Sequence, residues 1–191
     1  WTSCSPDFGT KGIIDRIGQT TPKVLFTTSR YNYNAKEHDF SSRITEIEAS
    51  LVDLESLIIV DDSNINKSKV KYSYISFNEF GADSKLDFIR LPFFHPSYIL
   101  YTSGTTGTPK AIVHSIGGTV LQHFKEHKLH NDLREGDKIM WYTNIAWMMY
   151  HWVVSSLGCN STLVLYDGVP IVKKGNNVDG SLLWKVAEKE K

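Results

Sequence analysis

The sequence is poor in cysteine, carries no net charge and has no long apolar run, and each of these absences excludes a class of protein. Cys4 and Cys159 are the only cysteines in 191 residues. With no Cys-x-x-Cys or comparable pair, neither a zinc knuckle nor a disulfide framework is expected. Two free thiols fit a reducing, cytoplasmic compartment. Lys and Arg total 21, as do Asp and Glu, so nothing draws nucleic acid or an anionic membrane over long range. The longest apolar stretch, Ala146 to Val154, is interrupted by His151, whereas a membrane span needs roughly 18 apolar residues. The opening Trp-Thr-Ser-Cys-Ser-Pro offers neither a basic n-region nor an apolar h-region, so no secretory signal is expected there. The sequons at Asn66-Lys67-Ser68 and Asn160-Ser161-Thr162 therefore read as accidental. Intrinsic disorder is excluded by 41% hydrophobic and 22% charged residues. The length suits one domain or a piece of a larger one. A start at Trp1 and an end at Lys191, inside a helical pattern with no stop signal, read as a fragment cut at both ends.

Strand and helix patterns alternate along the chain. Thr10 to Gly18 reads as a short helix and Val24 to Thr27 as a buried strand. Ser29 to Asp39 reads as a loop. Phe40, Ile44, Ile47, Leu51 and Leu54 form one helical stripe, with Glu46, Glu48 and Asp53 off it. Leu57 to Val60 is a second apolar strand, and Asp61 to Lys71 a polar excursion. In the second half, strands are expected at Ser97–Tyr101, Ala111–His114, Lys138–Thr143 and Thr162–Tyr166. Helices are expected at Ser115–His130, with Ile116, Val120, Leu121 and Phe124 on one face, at Trp147–Leu157, and from Ser181 onward. The order predicts an α/β fold with a largely parallel sheet.

The informative segment joins the strand at Ser97–Tyr101 to that at Ala111–His114: Thr102-Ser103-Gly104-Thr105-Thr106-Gly107-Thr108-Pro109-Lys110. Gly104 and Gly107 permit positive φ and close approach of backbone N–H groups to a ligand. Five hydroxyl side chains offer neutral donors, Pro109 stiffens the exit, and Lys110 adds a point charge. Amides, hydroxyls and one ammonium together suit a polyphosphate. The segment is not a P-loop, because Lys110 follows a proline and the spacing from Gly104 to Gly107 is too short. No GxGxxG is present.

Tyr101 to Lys110 resembles the phosphate-loop signature of the adenylate-forming superfamily, which includes acyl-CoA synthetases, luciferases and nonribosomal peptide adenylation domains. The flanks at residues 1–9, 112–115, 117–118, 121–123, 125–127, 147–149 and 162–168 are similar to its acetoacetyl-CoA synthetase branch. This resemblance covers essentially the whole chain and is weakest from Ser63 to Asp87. It implies that residues 1–191 are part of a large N-terminal AMP-binding (adenylation) domain with layered sheets, the C-terminal domain lying beyond. It also implies a cytosolic AMP-forming acid–thiol ligase of lipid and ketone-body metabolism. The substrates would be acetoacetate, ATP and coenzyme A, with Mg²⁺. The carboxylate would attack the α-phosphorus and release pyrophosphate, after which the CoA thiol would displace AMP. On that pattern Thr102, Ser103, Gly104, Thr105, Thr106, Gly107, Thr108 and Lys110 hold the phosphates, and Trp147 and Met148 are candidates for the acyl pocket. The catalytic lysine, the later acidic motif and the ribose-binding aspartate would lie past Lys191. No metal ligand is assignable, and the piece alone is not expected to complete the reaction. Where the family carries Thr-Thr-Gly before this tryptophan, the chain has Asn144-Ile145-Ala146. That departure leaves a ligase for another short acid open, and the lack of the lysine and acidic motifs leaves a second alternative, a truncated, non-catalytic phosphate-binding remnant.

The remaining candidates read structurally. His123-Phe124-Lys125-Glu126-His127 fits the H-x-x-E-H zinc-peptidase signature, but His127 falls on the helix stripe of Ile116 and Val120. It is expected to be a buried histidine with a hydrogen-bond partner. His114, directly after a strand, is expected in a structural role. Lys185 to Lys191 is a solvated helix face.

Overall fold

A computed structural model describes residues 1–33, 36–61, 65, 73–103 and 107–190. The first unit begins with α1 (Thr10–Ile17), β1 (Val24–Thr27), the hairpin β2 (Arg30–Tyr33) and β3 (Lys36–Asp39), and α2 (Ser41–Ser50). It closes with β4 (Ser56–Ile59) and β5 (Tyr74–Ser76). β4 lies between β1 and β5, parallel to both, with Leu57 opposite Leu25 and Tyr74. A central strand is covered on both faces and must be apolar throughout. Accordingly Leu57, Ile58 and Ile59 have no solvent exposure. Ile13 and Ile17 of α1 join the stripe Phe40, Ile44, Ile47, Leu51 and Leu54 in one core with Leu57 and Ile59.

Two details depart from the sequence reading. Residues 30–39 form a hairpin rather than a loop. Its pairs are polar or aromatic, which hides the hydrophobic alternation, yet the Tyr31 and His38 rings stack at 5.2 Å. Arg30 Nε bonds Asp61 Oδ2 at 2.7 Å. Glu48 is fully buried, because it lies one turn after Ile44 and shares its face.

The second unit holds β6 (Pro96–Tyr101), β7 (Ala111–Ser115), α3 (Ile116–Lys125) with a π-turn at Glu126–His130, β8 (Lys138–Ile139), α4 (Met148–Ser155) and β9 (Thr162–Leu163). The hairpin β10 (Val172–Lys174) and β11 (Asn177–Asp179) and then α5 (Leu182–Lys189) follow. β8 and β9 pair in parallel, as the alternation predicts, although both are shorter than expected. β6 and β7 are antiparallel, with Tyr98 opposite His114 and Tyr101 opposite Ala111. A parallel pair needs a crossover of a dozen or more residues, and the link at 102–110 is too short for one. Ser115 caps α3, its Oγ accepting the Gly118 N–H at 3.2 Å. The buried side of α3 differs in part from the expected face: Val120 and Leu121 are exposed and His123 points inward, while His127 is buried as expected. No described helix is long and apolar enough to cross a membrane.

Candidate functional site

The loop between β6 and β7 is closed at its base by a reciprocal pair. The Thr102 N–H donates to the Lys110 carbonyl at 3.1 Å, and the Lys110 N–H donates to Thr102 Oγ1 at 3.0 Å. Thr102 therefore spends a lone pair of its hydroxyl on the neck, which leaves the O–H as a donor. Gly107 sits at φ +144°, with open space where a Cβ would be. Only glycine takes that backbone without strain, which is why it stands at this turn. Pro109 is buried, whereas Ser103, Gly107, Thr108 and Lys110 are exposed. Among the described residues, the Lys110 ammonium has no hydrogen bond or ion pair. Gly104, Thr105 and Thr106 lie outside the described residues.

Outside contacts brace both limbs of the loop, and these were not legible in the sequence. Gln19 Nε2 donates to the Pro109 carbonyl at 2.8 Å, and Arg16 Nη2 to the Ser103 carbonyl at 3.5 Å. Both bonds span nearly half the chain, beyond any local spacing signal. At the end of β6, Thr2 Oγ1 lies 2.9 Å from the Tyr101 hydroxyl, and burial raises the pKa of that phenol.

The aromatic-rich stretch from Trp141 to Trp152 splits in two. Trp152 turns inward against His127, with ring centroids 4.5 Å apart. Trp147 and Met148, where α4 begins, are exposed by 63% and 56%. The preceding turn is built by Asn144, whose Oδ1 accepts the Ala146 N–H at 2.9 Å. Neither Trp147 nor Lys110 lines the apolar cavity of ≈ 660 Å³ bounded by Trp1, Cys4, Ile13, Leu25, Phe26 and Ile145. Burial there pushes the Cys4 thiol up to about 12, which keeps it protonated and unreactive.

The H-x-x-E-H histidines join α3 to α4. His127 Nε2 lies 2.9 Å from the Trp152 carbonyl and 3.0 Å from Ser155 Oγ. His123 Nδ1 lies 3.0 Å from the same hydroxyl. A carbonyl only accepts, so Nε2 of His127 carries the proton. Glu126 turns to Gln122 instead. The buried, hydrogen-bonded histidine is the outcome expected from the sequence.

A second histidine feature surrounds Tyr98. Its ring is stacked on His114 at 4.7 Å and on His151 at 4.0 Å. Burial, reinforced by His114, His123 and the amino terminus, pushes His151 down from 6.5 to about 4. His114 and His123 shift the same way, each chiefly by burial. A folded value below the unfolded one means that the fold favours the neutral ring. The stability this provides is complete above pH 6.5 and is lost as pH falls from 6.5 towards 4. The melting temperature is therefore expected to drop on acidification across that window. His151→Phe, which keeps a flat ring beside Tyr98, should flatten the drop. An unchanged pH profile in that variant would show that His151 does not carry the effect.

With the fold and loop placed, comparison with known proteins decides the family. A family model described as AMP-binding enzyme matches residues 2–190. The chain belongs to that family. Among curated relatives, acetoacetyl-CoA synthetase of Danio rerio is 40% identical over 199 residues, covering 99% of this chain and 29% of the relative. A malonamoyl-CoA synthetase of Penicillium aethiopicum is 42% identical over 180 residues, covering 89% of this chain and 25% of the relative. The solved structure of acetoacetyl-CoA synthetase from Streptomyces lividans superposes with a TM-score of 0.81 at 42% identity, covering 89% of this chain and 26% of that one. The α/β architecture is thus that of an adenylate-forming enzyme's N-terminal domain. The chain spans less than a third of the length of these family members.

Proposed function

We propose that the polypeptide carrying this chain activates acetoacetate to acetoacetyl-CoA in the cytosol, consuming ATP and coenzyme A and releasing pyrophosphate and AMP. The observation that carries this reading is the 102–110 loop, closed at its neck, which presents an exposed Lys110 ammonium without a hydrogen bond or ion pair among the described residues, in a chain of the AMP-binding family. A carboxylate is a poor acyl donor until one of its oxygens becomes part of a good leaving group. Its attack on the α-phosphorus of ATP forms the acyl–O–P bond and breaks the bond to pyrophosphate. The thiol of CoA then takes the acyl group and AMP departs.

Charge grows on the leaving pyrophosphate in the first step. Donors fixed beforehand around it lower the barrier without reorganising. In this reading the Lys110 ammonium and the Thr102 O–H, with Ser103, Gly104, Thr105, Thr106, Gly107 and Thr108, hold the β- and γ-phosphates. The exposed faces of Trp147 and Met148 line the acyl site. The described residues contain no group of three or more His, Cys, Asp or Glu that could hold a metal ion.

Acetoacetyl and malonamoyl are both short acyl groups with a second carbonyl two carbons from the first. The two relatives' names thus support a short acid of that kind. Ala146, half-buried in the turn that leads to Trp147, bears on which one. The test is acid-dependent ATP–pyrophosphate exchange by the complete polypeptide, offered acetoacetate, malonamate, acetate and butyrate in turn. Fastest exchange with acetoacetate is expected. Faster exchange with another acid would keep the reaction and replace the substrate. No exchange with any acid, from folded protein, would favour a non-catalytic remnant.

A further inference from the structure

We propose that Gln19 is a positioning residue for the 102–110 loop, bracing it from α1 and thereby setting its affinity for polyphosphate. The second half of this inference rests on the reading of the loop as the ATP phosphate site. A loop that binds a polyphosphate must present N–H, O–H and ammonium groups to the ligand and keep its carbonyl oxygens, which carry the wrong sign, turned away. Two of those carbonyls are held on the α1 side: Pro109 by Gln19 at 2.8 Å and Ser103 by Arg16 at 3.5 Å. They lie on opposite limbs of the loop, so one rigid element grips both.

The grip is stiff because α1 is fixed in the core by Ile13 and Ile17, which are 4% and 7% exposed. Gln19 lies in the 3₁₀ turn Gly18–Thr20 that ends this helix. Within that turn, Thr20 Oγ1 donates to the Ile17 carbonyl at 2.7 Å. Arg16 is held by the Gly12 carbonyl at 2.8 Å and lies over the Phe8 ring. Of the two braces, Gln19 makes the shorter and better-formed bond. It grips the residue immediately before Lys110. Its loss would free the backbone that aims the ammonium, while Lys110 itself and the Thr102 neck stay intact. Gln19 therefore acts through the loop rather than on substrate.

The test compares wild type, Gln19→Met and Lys11→Ala in the complete polypeptide. Methionine keeps the length and volume of glutamine and removes its donor. Lys11 lies on the same helix, exposed and paired with Asp15, so its truncation controls for general effects on α1. Amide hydrogen exchange at Ser103, Gly107, Thr108 and Lys110 is expected to speed up about five-fold or more in Gln19→Met, which loses the bond to the Pro109 carbonyl of the loop together with that to the Asp15 carbonyl of α1. Lys11→Ala should match wild type. In ATP–pyrophosphate exchange, the KM values for ATP and for pyrophosphate should rise about 5- to 10-fold in Gln19→Met. The KM for the acid should stay unchanged. A purely structural role would instead lower the active fraction, and hence kcat, and leave those KM values alone. Loop amide exchange in Gln19→Met equal to wild type, or equally fast in Lys11→Ala, would overturn the brace. A faster loop with unchanged KM for ATP and pyrophosphate would overturn its link to affinity. Wild-type protein that catalyses no exchange would defeat the ATP reading, and with it that link, while loop amide exchange still decides the brace on its own.

Discussion

ATP–pyrophosphate exchange is expected to fall by about 10²- to 10³-fold in Lys110→Ala, the scale set by removing one preorganised donor from a developing anion. The substitution is clean for a structural reason. The two bonds of the loop's neck use the backbone C=O and N–H of residue 110, which meet the N–H and Oγ1 of Thr102 respectively, so alanine preserves them. The exposed ammonium makes no hydrogen bond or ion pair among the described residues, so its removal leaves none of them unsatisfied. Thermal stability should therefore remain within about 0.5 kcal/mol of wild type, and the lost activity would report the charge alone. Lys110→Arg should recover only part of the rate, since a planar guanidinium replaces a compact point charge. Exchange at the wild-type rate in Lys110→Ala would remove the loop from the chemistry.

The second large effect is on stability. Leu57→Ala should cost about 2–5 kcal/mol, the transfer energy of the lost side-chain carbons plus the cavity they leave. That is on the order of 10 °C in melting temperature for a unit of this size. Leu57 has no solvent exposure and lies on the central strand of the first sheet, between β1 and β5. It faces the core that α1 and α2 share. The two helices that cover it are fixed through the same cluster, and relaxation around a void there would have to move one of them. Val52→Ala provides the contrast: that side chain is 83% exposed, and the change should fall within about 0.5 kcal/mol. Thermal unfolding of the two variants side by side tests this. Equal melting temperatures would mean that the first sheet is not the stabilising core.

The parts legible in the sequence were those in which burial imposes a period. The α2 stripe and the apolar run at Leu57 each follow from one-dimensional spacing, and the phosphate-type loop from its density of hydroxyls and glycine. The family resemblance carried by that loop is matched by the relatives and by the superposed fold. What could not be read depends on pairing in space. The hairpin at 30–39 is held by cross-strand polar and aromatic partners rather than by a hydrophobic alternation. The inward turn of His123, in place of the more apolar Val120 and Leu121, is set by its contact with Ser155 of α4. At the loop itself, composition pointed to candidate donors but not to the neck. The second role of the Thr102 hydroxyl and the grip of Gln19 on Pro109 both appear only once the chain has folded back on itself.

Oxygen transfer from the acid tests the adenylate mechanism most directly. Acetoacetate labelled with ¹⁸O in its carboxylate is given to the complete polypeptide with ATP and CoA, and the phosphorus-containing products are weighed by mass spectrometry. Attack of the carboxylate on the α-phosphorus places one labelled oxygen in AMP and none in pyrophosphate, because the acyl–oxygen bond is the one that breaks when the CoA thiol displaces AMP. Unlabelled AMP, or label carried instead in inorganic phosphate alongside ADP, would contradict activation through an acyl-adenylate.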